Sequence, residues 1–319
     1  MKLADAPHYW PLAGGVYRVA PGLRRFGADL GGAPADAHVF QLDNQFARYR
    51  AAKLAARRRH LGKYLRFADF DPLTAKAVTA FILDRLTLEH PQFFLRQQRG
   101  QRTRLRCRLT RQTLTFDPNL RLIDVHGPAS NPPFQHAVDA LASQVQEDLA
   151  ILRFTHNRHW LCALHLCYPN GWSARDKIGQ TFAQMHQPVA HMEMMIEQEP
   201  QLVDVMEHAT AGIVRFAWGL SLDDALDHHP SNRPRVVTFD PRHPRGWLRV
   251  ERQTLWGRPE AGMAIFTIRT YLHDLRDIAR DSAKRNDLAS AVAGMSDKSR
   301  KYKQLDTWAD ALIEWLRSC

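Results

Sequence analysis

Cysteine is scarce in this chain: four in 319 residues, at Cys107, Cys162, Cys167 and Cys319. None belongs to a CxxC pair, so the common structural zinc patterns are not indicated, and so few thiols make no disulfide scaffold. The opening residues, Met1-Lys2-Leu3-Ala4-Asp5-Ala6-Pro7-His8, lack the apolar core of a secretory signal. Both features point to a reducing, cytoplasmic setting with free thiols. Long apolar runs are missing as well. No stretch approaches the ~18 apolar residues of a membrane-spanning helix, and the mean hydropathy of −0.41 also speaks against an integral membrane protein. Walker A, GxGxxG, HExxH and GxSxG patterns are absent. The RRM, KH and zinc-finger signatures are absent too, which disfavours nucleic acid as a partner. There is no internal repeat and no long low-complexity tract.

What is present is the composition of a folded protein: 45% hydrophobic and 24% charged residues. The length suits one large domain or two smaller ones. Two totals stand out. Lys and Arg number 44 against 33 Asp and Glu, a formal net charge of +11. Such an excess suits nucleic acid, anionic lipid, an acidic protein or a carboxylate-bearing ligand. The chain also has 16 histidines, roughly twice the usual share.

Along the chain, a Gly/Pro/Ala loop at 31–34 precedes a strand-like patch at 38–42. Residues 43–66 read as a basic helix carrying Arg57-Arg58-Arg59, and 72–90 as a helix with Pro72 at its start and Pro91 past its end. Arg104, Arg106 and Arg108 alternate with Leu105, Cys107 and Leu109, and a turn at Asp117-Pro118-Asn119 leads to 120–125, which predicts a β-hairpin or neighbouring strands. The spacing of Phe134, Val138, Leu141, Val145, Leu149 and Leu152 predicts a helix over 134–153. Residues 154–272 read as a sheet-rich unit. Strands are expected at 160–168, 214–220, 247–255 and 263–272, with helices at 174–186 and 192–211 and a Pro/His-rich loop at 227–246. Further helices are expected at 274–293 and 303–318. This order gives an α+β fold. Cys162 and Cys167 read as buried small hydrophobes, His228-His229 as part of a solvated loop, and the basic runs at 48–66 and 96–111 as a solvated or docking face.

Three segments can carry chemistry. In the first, Ser173 can cap a helix that ends at His186-Gln187-Pro188, because proline forbids helix there. His186 can cap the last carbonyls of that helix or serve as an iron ligand; His191 keeps the same ambiguity. In the second, Leu248–Leu255, Arg249, Glu251 and Gln253 share one strand face, and Val250, Arg252 and Thr254 the other. The polar face is either solvated or a pocket wall, where a carboxylate can hold an ammonium and arginines can hold anions. In the third, Met263–Leu272, Arg269 sits in an apolar strand. Buried, it needs a partner such as Glu251 or a ligand carboxylate; at a sheet edge it needs none.

Taken in order, several blocks resemble the haem-dependent oxidative N-demethylase α-subunit-like family over about residues 38–275. They are Phe40-Gln41-Leu42-Asp43, Glu147-Asp148-Leu149-Ala150, Trp172…Lys177-Ile178-Gly179…His186-Gln187-Pro188-Val189, Arg215-Phe216-Ala217-Trp218, Leu248–Leu255 and Ile265–Tyr271. The resemblance implies a PAS-like antiparallel sheet core (about 154–272) that binds haem b, with additional N- and C-terminal helices. It would follow an N-terminal extension at 1–37 and precede C-terminal helices at 276–319. The resemblance also implies oxidative demethylation of a small secondary amine such as dimethylamine, with O2 at the haem and formaldehyde as product. Electrons would come from NAD(P)H through flavin and iron–sulfur reductase subunits, since this chain has no such motif of its own.

By the same resemblance, His186 is the axial ligand, with His191 as the alternative. Lys177, Arg249 and Arg252 are expected at the propionates, and Glu251, Arg269 and Tyr271 where amine and O2 meet. The chain departs from the family at Ala217, often Asn, and at Ala190, often Pro. A haem sensor or carrier without turnover is the second reading. A non-haem protein binding nucleic acid or another anion is the third.

Overall fold

The computed structural model describes residues 2–232 and 238–319. A two-residue strand, β1 (Arg24–Arg25), is followed by α1 (Phe46–Tyr64), β2 (Leu65–Phe67) and α2 (Pro72–Glu89). The start of α2 is the one expected from the sequence. Asp71 accepts hydrogen bonds from the Leu73 and Thr74 amides, and Pro72 fills the first turn, where its missing N–H costs nothing. Arg57, in the expected solvated run, instead faces inward from α1 onto Asp139, with bonds of 2.8 and 2.7 Å.

Strands β3 (Phe94–Arg99), β4 (Arg102–Cys107), β5 (Gln112–Phe116) and β6 (Leu122–His126) form an antiparallel sheet in chain order. The sequence predicts fewer strands here. β3 carries no alternation, because five of its six residues are exposed. Residues 108–111 add a further turn in which Arg111 has φ of 58°.

The helix expected over 134–153 is corrected to a short α3 (Ala137–Ala142) followed by strand β7 (Asp148–Thr155). Both faces of β7 are covered, and a strand buried on both sides reads as an apolar run that fits either period. β8 (Arg158–His165) completes a hairpin with it. The helix expected at 174–186 is two helices, α4 (Ala174–Lys177) and α5 (Phe182–His186), parted at Gly179 with φ of +80°. That at 192–211 is likewise two, α6 (Glu193–Glu197) and α7 (Glu199–His208).

β9 (Ile213–Ser221), β10 (Trp247–Arg258) and β11 (Met263–Asp274) lie where strands are expected. The chain ends in α8 (Leu275–Arg280), α9 (Ser282–Ala293), α10 (Asp297–Tyr302) and α11 (Ala309–Ser318). Asp281 separates the first two by capping α9. The loop expected over 227–246 lies partly outside the described residues. His228 and His229 are not solvated: both are buried, bonded to Asp223 and Ser231.

The main sheet runs β1-β9-β10-β11-β7-β8-β2, antiparallel throughout. Its front face carries Leu255, Ala264, Phe266, Ala150, Leu152 and Leu164, which pack under the α4–α7 region through Ala174, Ile178, Met185, Val203 and Met206. One half of the back face packs against α2, α3 and the second sheet. The other half packs against the N-terminal segment and the C-terminal helices.

A buried polar lock fastens residues 36–43 to that back face. Asp43 pairs with Arg269 at 2.6 Å, and Gln41 accepts from Tyr271 and donates to Tyr9 at 2.7 Å. The Gln41 amide donates to Glu147 (2.7 Å) and the Asp43 amide to Gln146 (2.9 Å). Arg252 donates to the carbonyls of Asp36 and His38. Each bond satisfies a group that would be costly to bury alone. Among the described residues no helix is long and apolar enough to cross a membrane.

Candidate functional site

The α4–α5 segment is fastened at several points over the front face. Ser173 caps α4 as expected, accepting from the Asp176 amide. The Gly179 amide donates to the Leu161 carbonyl of β8, and the Leu161 amide to Gln180. α5 opens with a reciprocal capping box between Thr181 and Gln184. The Phe182 and Ala183 amides donate to His159 and Glu199. Lys177 donates to the Met185 carbonyl at the other end. A five-residue helix is too short to hold itself, so these bonds place its last residue, His186.

The His186 ring lies 4.2 Å from Phe182, centroid to centroid, and its Nδ1–H donates to the Phe182 carbonyl at 2.8 Å. The capping expected of this residue is therefore made. It also sets the tautomer, leaving the Nε2 lone pair without a protein partner among the described residues. Burial holds the imidazole below its ordinary pKa, so it is neutral near pH 7 and able to ligate.

The strand registers divide the other expected residues between the two faces. Gln253 pairs with Arg215, Glu251 with Ala217, and Arg249 with Gly219, and all six are on the front face, which α5 covers. Glu251 is half-buried and accepts from the Gln253 side chain at 2.9 Å. Arg249 is fully buried, with its guanidinium on the Ala225 (2.7 Å) and Leu226 (3.1 Å) carbonyls. Arg252 pairs with Arg269, and Val250 with Tyr271, on the back face. There all four are buried in the polar lock and its surroundings, with the sheet between them and α5. The partner of Arg269 is Asp43, which corrects the expected Glu251 or ligand carboxylate. His191 is exposed, with φ of 61°, and its Nε2 is engaged by Ser296 at 2.7 Å. Of the expected residues, the structure thus brings His186, Lys177, Arg249 and Glu251 to one side. Lys177 and Arg249 already bind backbone carbonyls there.

Two side chains that sequence reasoning did not single out lie near these residues, Arg215 on the front face and Lys303 at the β9 edge beside the back-face ring of Trp218. Arg215 makes no hydrogen bond among the described residues, its Nε is buried without a partner, and it lies in the field of Glu251 and close enough to His186 to weigh on its charge. A cation in an otherwise apolar strand is the signal that could have found it. Lys303 follows α10, donates to the Trp218 carbonyl at 2.6 Å and lies over the Trp218 and Tyr17 rings. Nothing local in the sequence marks it.

Between these groups the strand floor is small. Ala217 and Gly219 face the front, and a Cβ on Gly219 would meet only the Asn170 side chain, at 3.1 Å. A flat, dianionic iron porphyrin needs a neutral imidazole, cations for its carboxylates and a floor without bulk. On the front face, His186, Arg215, and Ala217 with Gly219 are residues of these kinds.

Other clusters lack such features. Asp148, His165 and Cys167 converge in the interior. However, Lys53 already brings a cation to 4.0 Å from Asp148, and His165 is bonded to Asp139. Open grooves of about 440 and 530 Å³, beside Trp256 and beside His273, are lined by neither His186, Arg215 nor Glu251. A family model described as haem-dependent oxidative N-demethylase, alpha subunit-like, matches residues 33–313, from the segment held by the polar lock through to α11. The chain belongs to the haem-dependent oxidative N-demethylase alpha-subunit-like family.

Proposed function

We propose that the protein is the haem-binding subunit of an oxidative N-demethylase acting on a small secondary amine, dimethylamine being the simplest. The observation that carries this is the neutral His186 imidazole, with Nδ1 fixed and Nε2 open, on the same sheet face as the Glu251 carboxylate and the Arg215 guanidinium, neither His186 Nε2 nor Arg215 having a hydrogen-bond partner among the described residues. A PAS-like core is supported by the strand order. Taken in chain order as first to fifth, β7, β8, β9, β10 and β11 lie 3-4-5-1-2 across the sheet, with the helices between the second and third.

Haem b, when bound, supplies a redox-active iron that activates O2. His186 would hold the iron, and its Nδ1–H bond to the Phe182 carbonyl fixes the tautomer that leaves Nε2 basic and open for that role. Arg215 would pair with a propionate through charge-assisted bonds. Glu251, oriented by Gln253, accepts an N–H of the bound ammonium and offsets its loss of water. The balanced change consumes amine, O2, NAD(P)H and a proton, and yields primary amine, formaldehyde, water and NAD(P)+.

The reductant passes through flavin and iron–sulfur partner chains, and the +11 excess of this chain suits an acidic donor. Three of its four free cysteines are buried, which fits a reducing cytoplasm.

The test is an absorption spectrum of wild type and His186→Ala after expression with haem precursor, followed by formaldehyde release from dimethylamine with a reductase present. A Soret band that the variant loses or shifts, with amine-dependent formaldehyde in the wild type, supports the reading. Haem uptake without amine-dependent turnover makes the chain a sensor or carrier. No haem uptake by the folded protein sinks both.

A further inference from the structure

Between Phe94 and His126 the chain carries eight arginines and no lysine, against two aspartates. The strand registers place four of the arginines on one face of the second sheet. Arg99 stands directly opposite Arg102, Arg104 lies between Gln97 and Thr115, and Arg106 between Leu95 and Thr113. The other face of β4 and β5, with Leu105, Cys107, Leu114 and Phe116, is buried in the core shared with α2 and the main sheet. The arginine face therefore points away from the rest of the fold. Arg99, Arg102 and Arg106 are exposed and Arg104 is half-buried, and none of the four has a hydrogen bond or an ion pair among the described residues. Arg108 and Arg111, exposed in the turn to β5, are in the same position. The face has one carboxylate, Asp124, opposite Thr115, and it pairs with no arginine.

Strands lie about 4.8 Å apart and alternate residues of one strand about 6.8 Å. The guanidiniums are thus closer together than the ~8 Å over which salt screens them, and like charges directly opposite each other weaken a sheet. An isolated chain bears this repulsion with nothing to offset it. A surface of opposite charge laid on the face removes it.

We propose that this face of β3–β6 is the docking surface for a partner chain whose own contact surface is rich in Asp and Glu. The exclusive use of arginine favours a protein. Its planar fork matches carboxylates in pairs and sheds water more readily than an ammonium, and protein interfaces are enriched in arginine and depleted of lysine. The strand face carries no phenyl, phenol or indole ring on which bases could stack. Leu95 and Ile123, exposed aliphatics of β3 and β6, suit the apolar part of a protein contact. The inference rests on the reading of the chain as one subunit among partner chains, and it gives that contact a place. The second sheet packs on the back of the main sheet, so a partner seated on it leaves the α4–α5 side open.

The experiment is fluorescence anisotropy of the full-length protein with a labelled oligo-glutamate peptide of 20 residues. A labelled oligo-dT of about the same charge and phosphatidylserine vesicles serve as rival probes. Arg102→Gln/Arg104→Gln/Arg106→Gln is compared with Arg58→Gln/Arg242→Gln/Arg317→Gln, three exposed arginines elsewhere. Each triple variant lowers the net charge from +11 to 11 − 3 = +8, so the general field of the protein is the same in both. The face variant should bind oligo-glutamate about tenfold or more weakly than wild type, and the control variant within about twofold. The face variant should also melt no lower than wild type, since it relieves repulsion. If it does not fold, Arg99→Gln/Arg102→Gln, the directly opposed pair, takes its place.

Equal weakening in the two triple variants overturns the inference. So does tighter binding of oligo-dT or of the vesicles that is lost only in the face variant, which would give the face to nucleic acid or to a membrane. The Soret band of the same samples separates this result from the haem reading. Face-specific glutamate binding without a Soret band leaves the docking surface standing and overturns the haem reading; a Soret band without face-specific binding does the reverse.

Discussion

Asp43→Asn is the sharpest perturbation of the fold. Asp43 and Arg269 meet at 2.6 Å with side chains 2% and 1% exposed, so neither charge has solvent as an alternative. The substitution keeps shape and removes charge. Arg269 would retain the Thr270 carbonyl, at 2.8 Å, and the faces of Tyr49 and Tyr271 at 3.9 and 4.6 Å. It would lose its carboxylate. Breaking a buried pair from one side costs about 3–5 kcal/mol. A chain of this length has an unfolding entropy that turns this into a drop in Tm of roughly 4–8 °C.

The Asp43→Asn amide also has to keep the Gln146 contact, at 2.9 Å, that fixes residues 41–43. The assay is thermal unfolding by circular dichroism at pH 7, beside the double variant Asp43→Leu/Arg269→Met. With no stranded charge, the double variant should be the less damaged of the two. A Tm for Asp43→Asn within 1 °C of wild type would refute the claim that this pair fastens the N-terminal segment to the sheet.

Arg215→Leu should lower haem affinity by about tenfold, one charge-assisted pair, with little change in Tm because Arg215 bonds to no protein group among the described residues; haem transfer to apomyoglobin measures this, and unchanged retention would remove Arg215 from the propionate site. Burial pushes Glu147 up to about 7 against the pull of Arg269, so the folded chain binds a proton that the unfolded chain releases near 4.5. Its contribution to stability is therefore greatest below 4.5 and is lost as pH rises to about 7; Glu147→Gln should flatten that part of a Tm-against-pH profile, and a steeper fall in the variant would count against the assignment. Gly212 has φ of +76°, and a Cβ there would lie 2.5 Å from the Trp256 ring. Gly212→Ala should cost about 1–3 kcal/mol, read as a lower urea midpoint; an unchanged midpoint would mean that the ring gives way freely.

Much of the architecture was readable from the chain. Period-2 patterning located β9, β10 and β11, and proline and cap signals located α2, α4 and the exit of α5. The errors came where pattern underdetermines structure. β7 is covered on both faces and so mimics a helix. The exposed β3 has no apolar face to declare it. Gly179 and Asp281 each divide a segment whose periodicity looks continuous. For the site, His186 was legible because proline two residues on ends its helix and leaves the imidazole at a fixed terminus.

The arginine-rich strands were legible as special, but their roles were not. Alternation states that Glu251 and Arg252 point to opposite sides; it does not state which side α5 covers. The register with β9 and the path of residues 36–43 decide that, placing Arg252, Arg269 and Tyr271 in a buried lock and Glu251 beside Arg215. By itself, then, the sequence determined which residues are held in common with a family, where strands and caps fall, and that an arginine in an apolar strand needs a partner. Only the tertiary structure chose the partners, because Asp43 and Arg269, or Arg57 and Asp139, are distant along the chain. Charges separated by many residues have no local signature, and they are matched only when the sheet, the N-terminal segment and the C-terminal helices close around them.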